Sequence, residues 1–421
     1  MRWSETAHDL RQFAGGELAA STSAVAELRQ SSCHVTSSSV CRVGAGGRRR
    51  IPRTRTLRRR VLLMTDTVDP RLQTRATELF DVRFPIVQTG MGWVAGASLV
   101  SGTANAGGLG ILAAATMTFD EMVEAIDEVH ERTDKPFGVN LRTDAVDIEQ
   151  RVDHLISAEV KVASFAQAPR PDMVAKLKEA GLVVMPTVGA RRHAEKVAEW
   201  GVDAVLCQGG EGGGHTGSVP TSLLLPQVID AVDIPVIAAG GFHDGRGLAA
   251  ALAWGADGIA MGTRFLLTAD SKVPEEIKQA YLATPVTGTV VSTAIDGAPQ
   301  RVIRTDMVDS LEKAGLTRFP KAALNALRFR KMTATSLGDL LREGLAMKKN
   351  QDLSWAQLAM AANAPMLTKA TMVDGEIGVG ILPTGQCVGV VDDLPTCDEL
   401  IQRIVAEAVE AMNRLAPATS S

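Results

Sequence analysis

The chain has 421 residues, 45% of them hydrophobic and 22% charged, with 39 Gly, a single Tyr and a formal net charge of −4. That balance excludes disorder as the main state, and the lack of any run approaching about 18 consecutive apolar residues excludes a transmembrane helix. A Gly-rich, aromatic-poor chain of this length favours α/β layers over a β-sandwich.

The first 63 residues stand apart. They hold twelve Arg, no Lys and four acids, net +8, which leaves −12 on the remainder. Their Ser and Arg runs show no sustained apolar period. Three readings fit: a basic arm for nucleic acid, a transit-like leader, or an extension ahead of a start at Met64. The segment is expected to be a disordered leader outside the native fold, and 416–421 a disordered tail. The acidic body argues against nucleic acid as a partner. Cys33, Cys41, Cys207, Cys387 and Cys397 form no CxxC pair. Neither a disulfide framework nor a metal site is expected, and the thiols suit a reducing, cytoplasmic compartment.

From Phe84 onward, apolar runs alternate with helical stretches. The runs are 84–90, 108–115, 136–142, 160–166, 182–189, 204–210, 235–241 and 258–267. Their starts lie roughly 20 to 30 residues apart, one βα unit each. They lack strict alternation, as parallel strands covered on both faces do. Between them, residues 119–133 put Met122, Ile126 and Val129 on one helical face, and 191–201 ends on Gly201, a plausible cap. Eight such units predict an α/β fold, a (β/α)8 TIM barrel over 64–286. A doubly wound open sheet is the alternative.

Beyond the barrel, 287–297 reads as strand-like and 301–372 as Met- and Ala-rich helices. Residues 379–393 read as a Gly-rich turn with a short strand. Residues 396–415 form an amphipathic helix, with Thr396 as N-cap and Glu399 at the capping-box position. Region 287–415 is therefore expected to be an appended, mostly helical cover on one side of the barrel.

Barrel enzymes place reactive residues on loops after the C-terminal strand ends. QTGMGWV (88–94) follows the first strand, and its glycines permit close approach to a planar ligand or simply a tight turn. Asn140 and Arg142 end the third strand, where an Asn can equally cap the next helix. After the sixth strand, six of the nine residues from Gly209 to Gly217 are Gly. They frame His215, which can serve as acid or base near neutral pH. Gly-rich loops after the seventh and eighth strands (238–247 and 260–265) suit a phosphorylated cofactor. His243 beside them reads as a helix-start residue. His8, His34, His130, His154 and His193 carry no signal. No P-loop, G-x-S-x-G elbow or HExxH is present.

Taken in order, PIVQTGMGWV, NAGGLGIL, KPFGVN, QGGEGGGHTG, PVIAAGGFHDG and MGTRFLL resemble the nitronate monooxygenase family of FMN-dependent TIM barrels. The resemblance is strong over about 84–300 and extends more weakly through VDGEIGVGILPTGQCVG. The family includes enoyl-thioester reductases. Nearest in resemblance are actinobacterial members that dehydrogenate a hydroxy-hydrindane-carboxyl-CoA in steroid-ring degradation, with FMN and NAD. The resemblance implies that Met91, Gly92 and Asn140 contact the isoalloxazine and ribityl part of FMN, with Ser164 near it and Gln208 and Gly213 on its other side. It implies that Gly240, Gly241, Gly262 and Thr263 hold the phosphate, and that His215 is the catalytic base.

Nitronates and acyl thioesters are both carbon acids α to an electron sink, so one flavin barrel can serve oxygenase, reductase and dehydrogenase chemistry. Arg142, Arg170, Arg191 and Arg192 follow predicted strands three to five. Clustered at one rim, they suit a CoA pyrophosphate, although solvated surface charge explains them equally. Trp355, Met360 and Met366 could wall a bulky ring system or pack helix on barrel. The favoured reaction is α,β-dehydrogenation of a bulky cyclic acyl-CoA, with NAD(P) as the implied electron partner. The alternatives are oxidation of nitronates by O2, an enoyl-thioester reductase running in the opposite direction, and a non-flavin phosphate-binding barrel. A small-molecule substrate, no membrane and a homo-oligomer through exposed barrel helices complete the expectation.

Overall fold

A computed structural model describes residues 68–313 and 363–415 of the chain. The leader 1–63, Trp355, Met360 and the tail 416–421 lie outside the described residues.

Eight parallel strands close into a barrel. They are β1 (Ile86–Gln88), β2 (Leu109–Ala113), β3 (Phe137–Leu141), β4 (Val162–Phe165), β5 (Val183–Val188), β6 (Val205–Gln208), β8 (Val236–Ala239) and β9 (Gly258–Met261). Each falls inside one of the eight predicted runs. The ring closes by pairing Val87 of β1 with Ala260 of β9, so the open-sheet alternative is set aside. Helices α2 (Ala97–Asn105), α3 (Phe119–Arg132), α4 (Ile148–Ser157), α5 (Pro171–Glu179), α6 (Arg191–Glu199), α7 (Thr221–Ile229) and α8 (Gly245–Ala253) follow the strands. Met122, Ile126 and Val129 are buried as their spacing predicts. Gly201, just past α6, has φ +81°, a conformation a Cβ disfavours.

Apolar residues fill the barrel on alternate strand positions. Val87, Leu109, Ile111, Val162, Met185, Leu206, Ile237 and Ala260 form one cluster, joined by Ala76 and Phe80 of a helix before the first strand, α1 (Arg75–Phe80). Arg75 binds the Asp257 carboxylate at 2.8 and 2.7 Å, just ahead of β9. Thus α1 closes the N-terminal end of the barrel and leaves the C-terminal end for chemistry.

Two expectations need correction, and a third is borne out with an addition. The run 258–267 is not one strand: β9 stops at Met261, and Gly262 starts a one-turn helix, α9 (Thr263–Leu266), that carries the chain across the barrel end. The strand-like stretch 287–297 holds a strand, and a second strand begins at Gln300, at the start of the stretch read as helices. A hairpin of β10 (Thr289–Ser292) and β11 (Gln300–Ile303) pairs with β7 (Gly214–His215), a two-residue strand inside the Gly-rich loop. A four-residue strand such as β11 needs only a few alternating residues, and the Ala- and Met-rich stretch that follows hides it. The strand expected within 379–393 is a single bridge from Pro383 to Val302 followed by a 3-10 turn over Gln386–Val390. Close packing dictates that shape, because a Cβ on Gly389 would lie 2.0 Å from the Val286 nitrogen.

The appended helices that are described are α10 (Glu275–Leu282), α11 (Asp306–Lys313), α12 (Asn363–Met372) and α13 (Cys397–Leu415). The predicted capping box is present on α13: Glu399 N–H donates to Thr396 Oγ1 at 3.2 Å, and Thr396 N–H to Glu399 Oε2 at 3.1 Å. This helix lies against α8 so closely that a Cβ on Gly245 would stand 2.2 Å from the Ile404 carbonyl oxygen. Glu407 also accepts the Gly245 N–H at 2.9 Å, capping α8 from outside. Thr396→Ala is expected to lower stability by about 1 kcal/mol, the usual worth of such a cap, read as a shift in the urea midpoint at unchanged slope.

Candidate active site

The mouth of the barrel follows from strand parity. Two residues beyond the inner positions Gly138, Val162 and Leu206 come Asn140, Ser164 and Gln208, so the strands turn these three inward at the top. Asn140 and Ser164 are buried neighbours, with Asn140 Nδ2 donating to Ser164 Oγ at 3.4 Å. Ala113 and Ala239 occupy corresponding positions on β2 and β8. The resulting floor is small-sided, which favours a flat ligand laid across it.

The loop after β1 lies tight on this floor. A Cβ on Gly90 would meet Asn140 Cβ at 2.5 Å, and one on Gly92 would meet Thr116 Cγ2 at 2.8 Å. Met91 reaches toward β9, its sulfur 3.3 Å from where a Cβ on Gly262 would sit. Trp93 adopts φ +65°, and its buried indole N–H has no partner among the described residues. A left-handed bulky residue and an orphaned buried donor both cost free energy, and such costs concentrate at ligand sites.

After β8, Gly240 and Gly241 take φ +100° and +84°. A Cβ on Gly240 would crowd Thr221 Oγ1 at 2.9 Å and the Gly209 carbonyl oxygen at 3.0 Å. The N–H groups of Gly241, Gly262 and Thr263 donate to no acceptor among the described residues. Free amides at the ends of β8 and β9, with α9 starting there, match what a phosphate requires. The residues at the mouth therefore fit a flavin mononucleotide: a small-sided floor, an orphaned indole donor and unpaired amides at the phosphate end.

The Gly-rich loop rises from β6 and folds back on itself. Thr221 donates its N–H and hydroxyl to Glu211 Oε2 at 2.9 and 2.8 Å. Gln208 Nε2 donates to the His215 carbonyl at 2.8 Å. A Cβ on Gly213 would meet Thr384 C at 2.4 Å, so the loop rests directly on the 384–385 backbone. That backbone is tied in turn. Gly385 N–H donates to Thr263 Oγ1 at 2.8 Å, Gln386 N–H to the Glu211 carbonyl at 2.9 Å, and the buried Tyr281 hydroxyl to the Pro383 carbonyl at 2.8 Å. Arg301 on β11 donates to the Gly210 carbonyl at 3.3 and 2.9 Å. Burial lowers the Arg301 pKa, with Glu211 acting against the shift. Nearby Cys387 is a buried thiol pushed up to about 11 by desolvation, which keeps it protonated and poorly nucleophilic.

His215 sits at the edge of this structure with its side chain 65% exposed. Its Nε2 lies 2.8 Å from Oδ2 of Asp296, a carboxylate only 7% exposed. Gln300 Nε2 donates to the same oxygen and stands 3.1 Å from His215 Nε2. An imidazole held by a buried carboxylate is the arrangement of a general base.

The four arginines begin or precede helices on the same barrel end. Arg142 pairs with Asp144 at 3.0 Å, Arg170 with Glu149 and Asp172, and Arg191 with Glu195 at 2.8 Å. Arg192 has no acid partner among the described residues; its Nε lies 3.4 Å from His193 Nε2. His243 precedes α8, whose N-cap is Asp244.

Sequence reasoning missed Asp296, Gln300, Arg301, Tyr281 and Thr384. One signal was available. Asp296-Gly297 inside a strand-like run marks a hairpin turn, and reading it so places an acid on the strand that returns to the site.

Comparison with known proteins extends these observations. The family model for nitronate monooxygenase matches residues 73–148 and 143–407. A protein of Rhodococcus jostii named (3aS,4S,5R,7aS)-5-hydroxy-7a-methyl-1-oxo-octahydro-1H-indene-4-carboxyl-CoA dehydrogenase is 59% identical over 345 residues, covering 82% of this chain and 98% of its own. Its namesake in Mycobacterium tuberculosis is 58% identical over 343 residues, covering 80% and 97%. Among solved structures, FabK from Thermotoga maritima superposes with a TM-score of 0.68 at 32% identity, covering 82% of this chain and 98% of that one.

Proposed function

The chain belongs to the nitronate monooxygenase family, and from that premise we propose that it is a flavin-dependent oxidoreductase that dehydrogenates a bulky cyclic acyl-CoA at the carbons α and β to the thioester. One observation of the site carries the reading: the imidazole of His215 is held at the barrel mouth by the buried carboxylate of Asp296. A carbon acid next to a thioester needs such a base. The two full-length relatives named as dehydrogenases of a hydroxylated, oxo-substituted bicyclic carboxyl-CoA support a substrate of that class.

In this reading Gly240, Gly241, Gly262 and Thr263 hold the FMN phosphate through their amides. Met91, Gly92, Asn140, Ser164, Gln208 and Gly213 border the ring and ribityl chain. Bound there, FMN supplies a hydride acceptor whose electrons pass to NAD. His215 removes the α-proton, and the Gly-rich loop keeps it over the floor. Arg142, Arg170, Arg191 and Arg192 meet the CoA pyrophosphate, Arg192 with the least competition from neighbouring acids. The enzyme works as a homo-oligomer in the cytoplasm, where its cysteines remain reduced; among the described residues no helix is long and apolar enough to cross a membrane.

An anaerobic titration tests the reading. The purified protein is expected to show an oxidised flavin band that bleaches on adding a cyclic β-hydroxyacyl-CoA of this bicyclic type and returns with NAD+. Bleaching only by a nitronate, with recovery in air, assigns the chain to nitronate oxidation instead. Reduction by NAD(P)H and reoxidation by an unsaturated thioester assigns it to enoyl reduction. Absence of any flavin band removes the proposal.

A further inference from the structure

We infer that Asp296 is a positioning residue that fixes the tautomer of His215, so that Nδ1, not Nε2, is the atom that takes the substrate proton. The inference rests on the proposed role of His215 as base and names the atom and the residue behind it.

Asp296 is held from three sides. Its Oδ1 accepts the Ala298 N–H at 3.1 Å, closing a turn at Asp296-Gly297 in which Gly297 takes φ +93°. Its Oδ2 faces His215 Nε2 at 2.8 Å and also accepts from Gln300 Nε2. The ring is registered against this turn by backbone pairing: His215 lies opposite Gln300 across β7 and β11, and Thr216 N–H donates to the Pro299 carbonyl at 3.1 Å. A carboxylate only accepts hydrogen bonds. The ring nitrogen that faces it therefore carries the hydrogen; the Gln300 amide nitrogen, 3.1 Å from the same ring nitrogen, gives its own hydrogen to the carboxylate, and the lone pair is left on Nδ1. Nδ1 has no partner among the described residues, and the His215 side chain is 65% exposed.

The step balances simply. The α-carbon–hydrogen bond breaks, its electron pair stays on carbon as the thioester enolate, and the proton moves to Nδ1. The resulting imidazolium keeps its Nε2–H on Asp296, whose charge stabilises it.

The geometry makes Asp296→Asn an unusually specific probe. The asparagine carbonyl oxygen can keep the bond to Ala298 N–H, so its amide nitrogen must face the ring. That nitrogen donates, which forces Nε2 to become the acceptor and moves the ring hydrogen to Nδ1. Gln300 can turn its amide to present Oε1, so the local fold is retained.

Nitrogen-15 NMR of the flavin-loaded enzyme labelled at histidine is expected to show a bare Nδ1 in the wild type and a bare Nε2 in Asp296→Asn. Exchange of the α-proton of the acyl-CoA into D2O, followed anaerobically, is expected to fall about 10²-fold in the variant. That is less than the roughly 10⁴-fold known for a fully buried triad aspartate, because this ring is largely exposed. Flavin content and acyl-CoA affinity are expected to be unchanged, and Asp296→Glu to recover part of the exchange rate. A merely structural role for Asp296 leaves the tautomer as it is and lowers flavin content with activity.

Wild-type exchange in Asp296→Asn, alongside its loss in His215→Ala, overturns the positioning role while leaving the base in place. Wild-type exchange in both variants removes the base itself. The wild-type tautomer is decisive even if the variant does not fold, because a hydrogen on Nδ1 in the native enzyme sinks the inference.

Discussion

His215→Ala is expected to retain FMN while turnover falls by about 10² to 10⁴, the range a positioned general base contributes. The separation of the two effects follows from the structure. In the proposed reading the phosphate donors are backbone amides at the ends of β8 and β9, and the floor is built from β2, β3, β4, β6 and β8; none depends on the imidazole. The His215 carbonyl, which Gln208 holds at 2.8 Å, belongs to the backbone and survives the substitution. Flavin absorbance per protein and steady-state turnover with the acyl-CoA check the two halves independently. Retained flavin with unchanged turnover shows that another group removes the proton.

Gly213→Val is expected to do the opposite and remove flavin and turnover together. At this position a Cβ would lie 2.4 Å from Thr384 C, 2.5 Å from Gly385 N and 2.9 Å from Thr384 Cα. All three are backbone atoms, and that backbone is fixed through Thr263, Glu211 and Tyr281. Nothing there can swing aside as a flexible side chain would. Overpacking of this kind costs about 1 to 3 kcal/mol, and the cheapest relief is to lift the Gly-rich loop off its support. A penalty of that size on the bound conformation weakens flavin binding by up to about 10²-fold. Equilibrium titration of the apoprotein with FMN measures it, and added FMN is expected to restore part of the turnover. Thermal unfolding should change much less, since the barrel core is untouched.

The barrel was legible because its signals are local. Each βα unit announces itself with a short apolar run, and eight of them at even spacing leave little choice of fold. The capping box at Thr396 and the buried face of Met122, Ile126 and Val129 are of the same kind. The limits of the site reading have a different origin. His215 could be singled out because six glycines surround it, but its partner lies 81 residues further on. No sequence period links them; a three-stranded sheet does. Likewise, Gly213 looks like one more flexible residue until Thr384 is seen against it. Loop chemistry could be read one segment at a time, whereas contacts between segments had to come from the fold.

The rim arginines teach the reverse lesson. In sequence, four cations at one end of a barrel look like a ready anion site. In the structure, the carboxylates of Asp144, Glu149, Asp172 and Glu195 already compete for three of them. The Arg170 and Arg191 pairs are exposed and weak, about 0 to 1 kcal/mol each, so a polyanionic ligand can displace those acids, whereas Asp144 beside Arg142 is buried. What the sequence could not reveal is that a CoA bound as proposed would have to do so.

The support beneath the Gly-rich loop also has a consequence in time. Synthesis runs from the N-terminus, and all eight barrel strands are complete by Met261. Thr384 and Gly385 are made more than a hundred residues later, so a nascent chain holds all eight strands long before it has anything for Gly213 to rest on. During that interval His215, the proposed base, has neither its platform nor, until Asp296 emerges, its carboxylate. Translation order thus leaves the two supports of the Gly-rich loop, the hairpin with Asp296 and the backbone at Thr384, to the last third of synthesis.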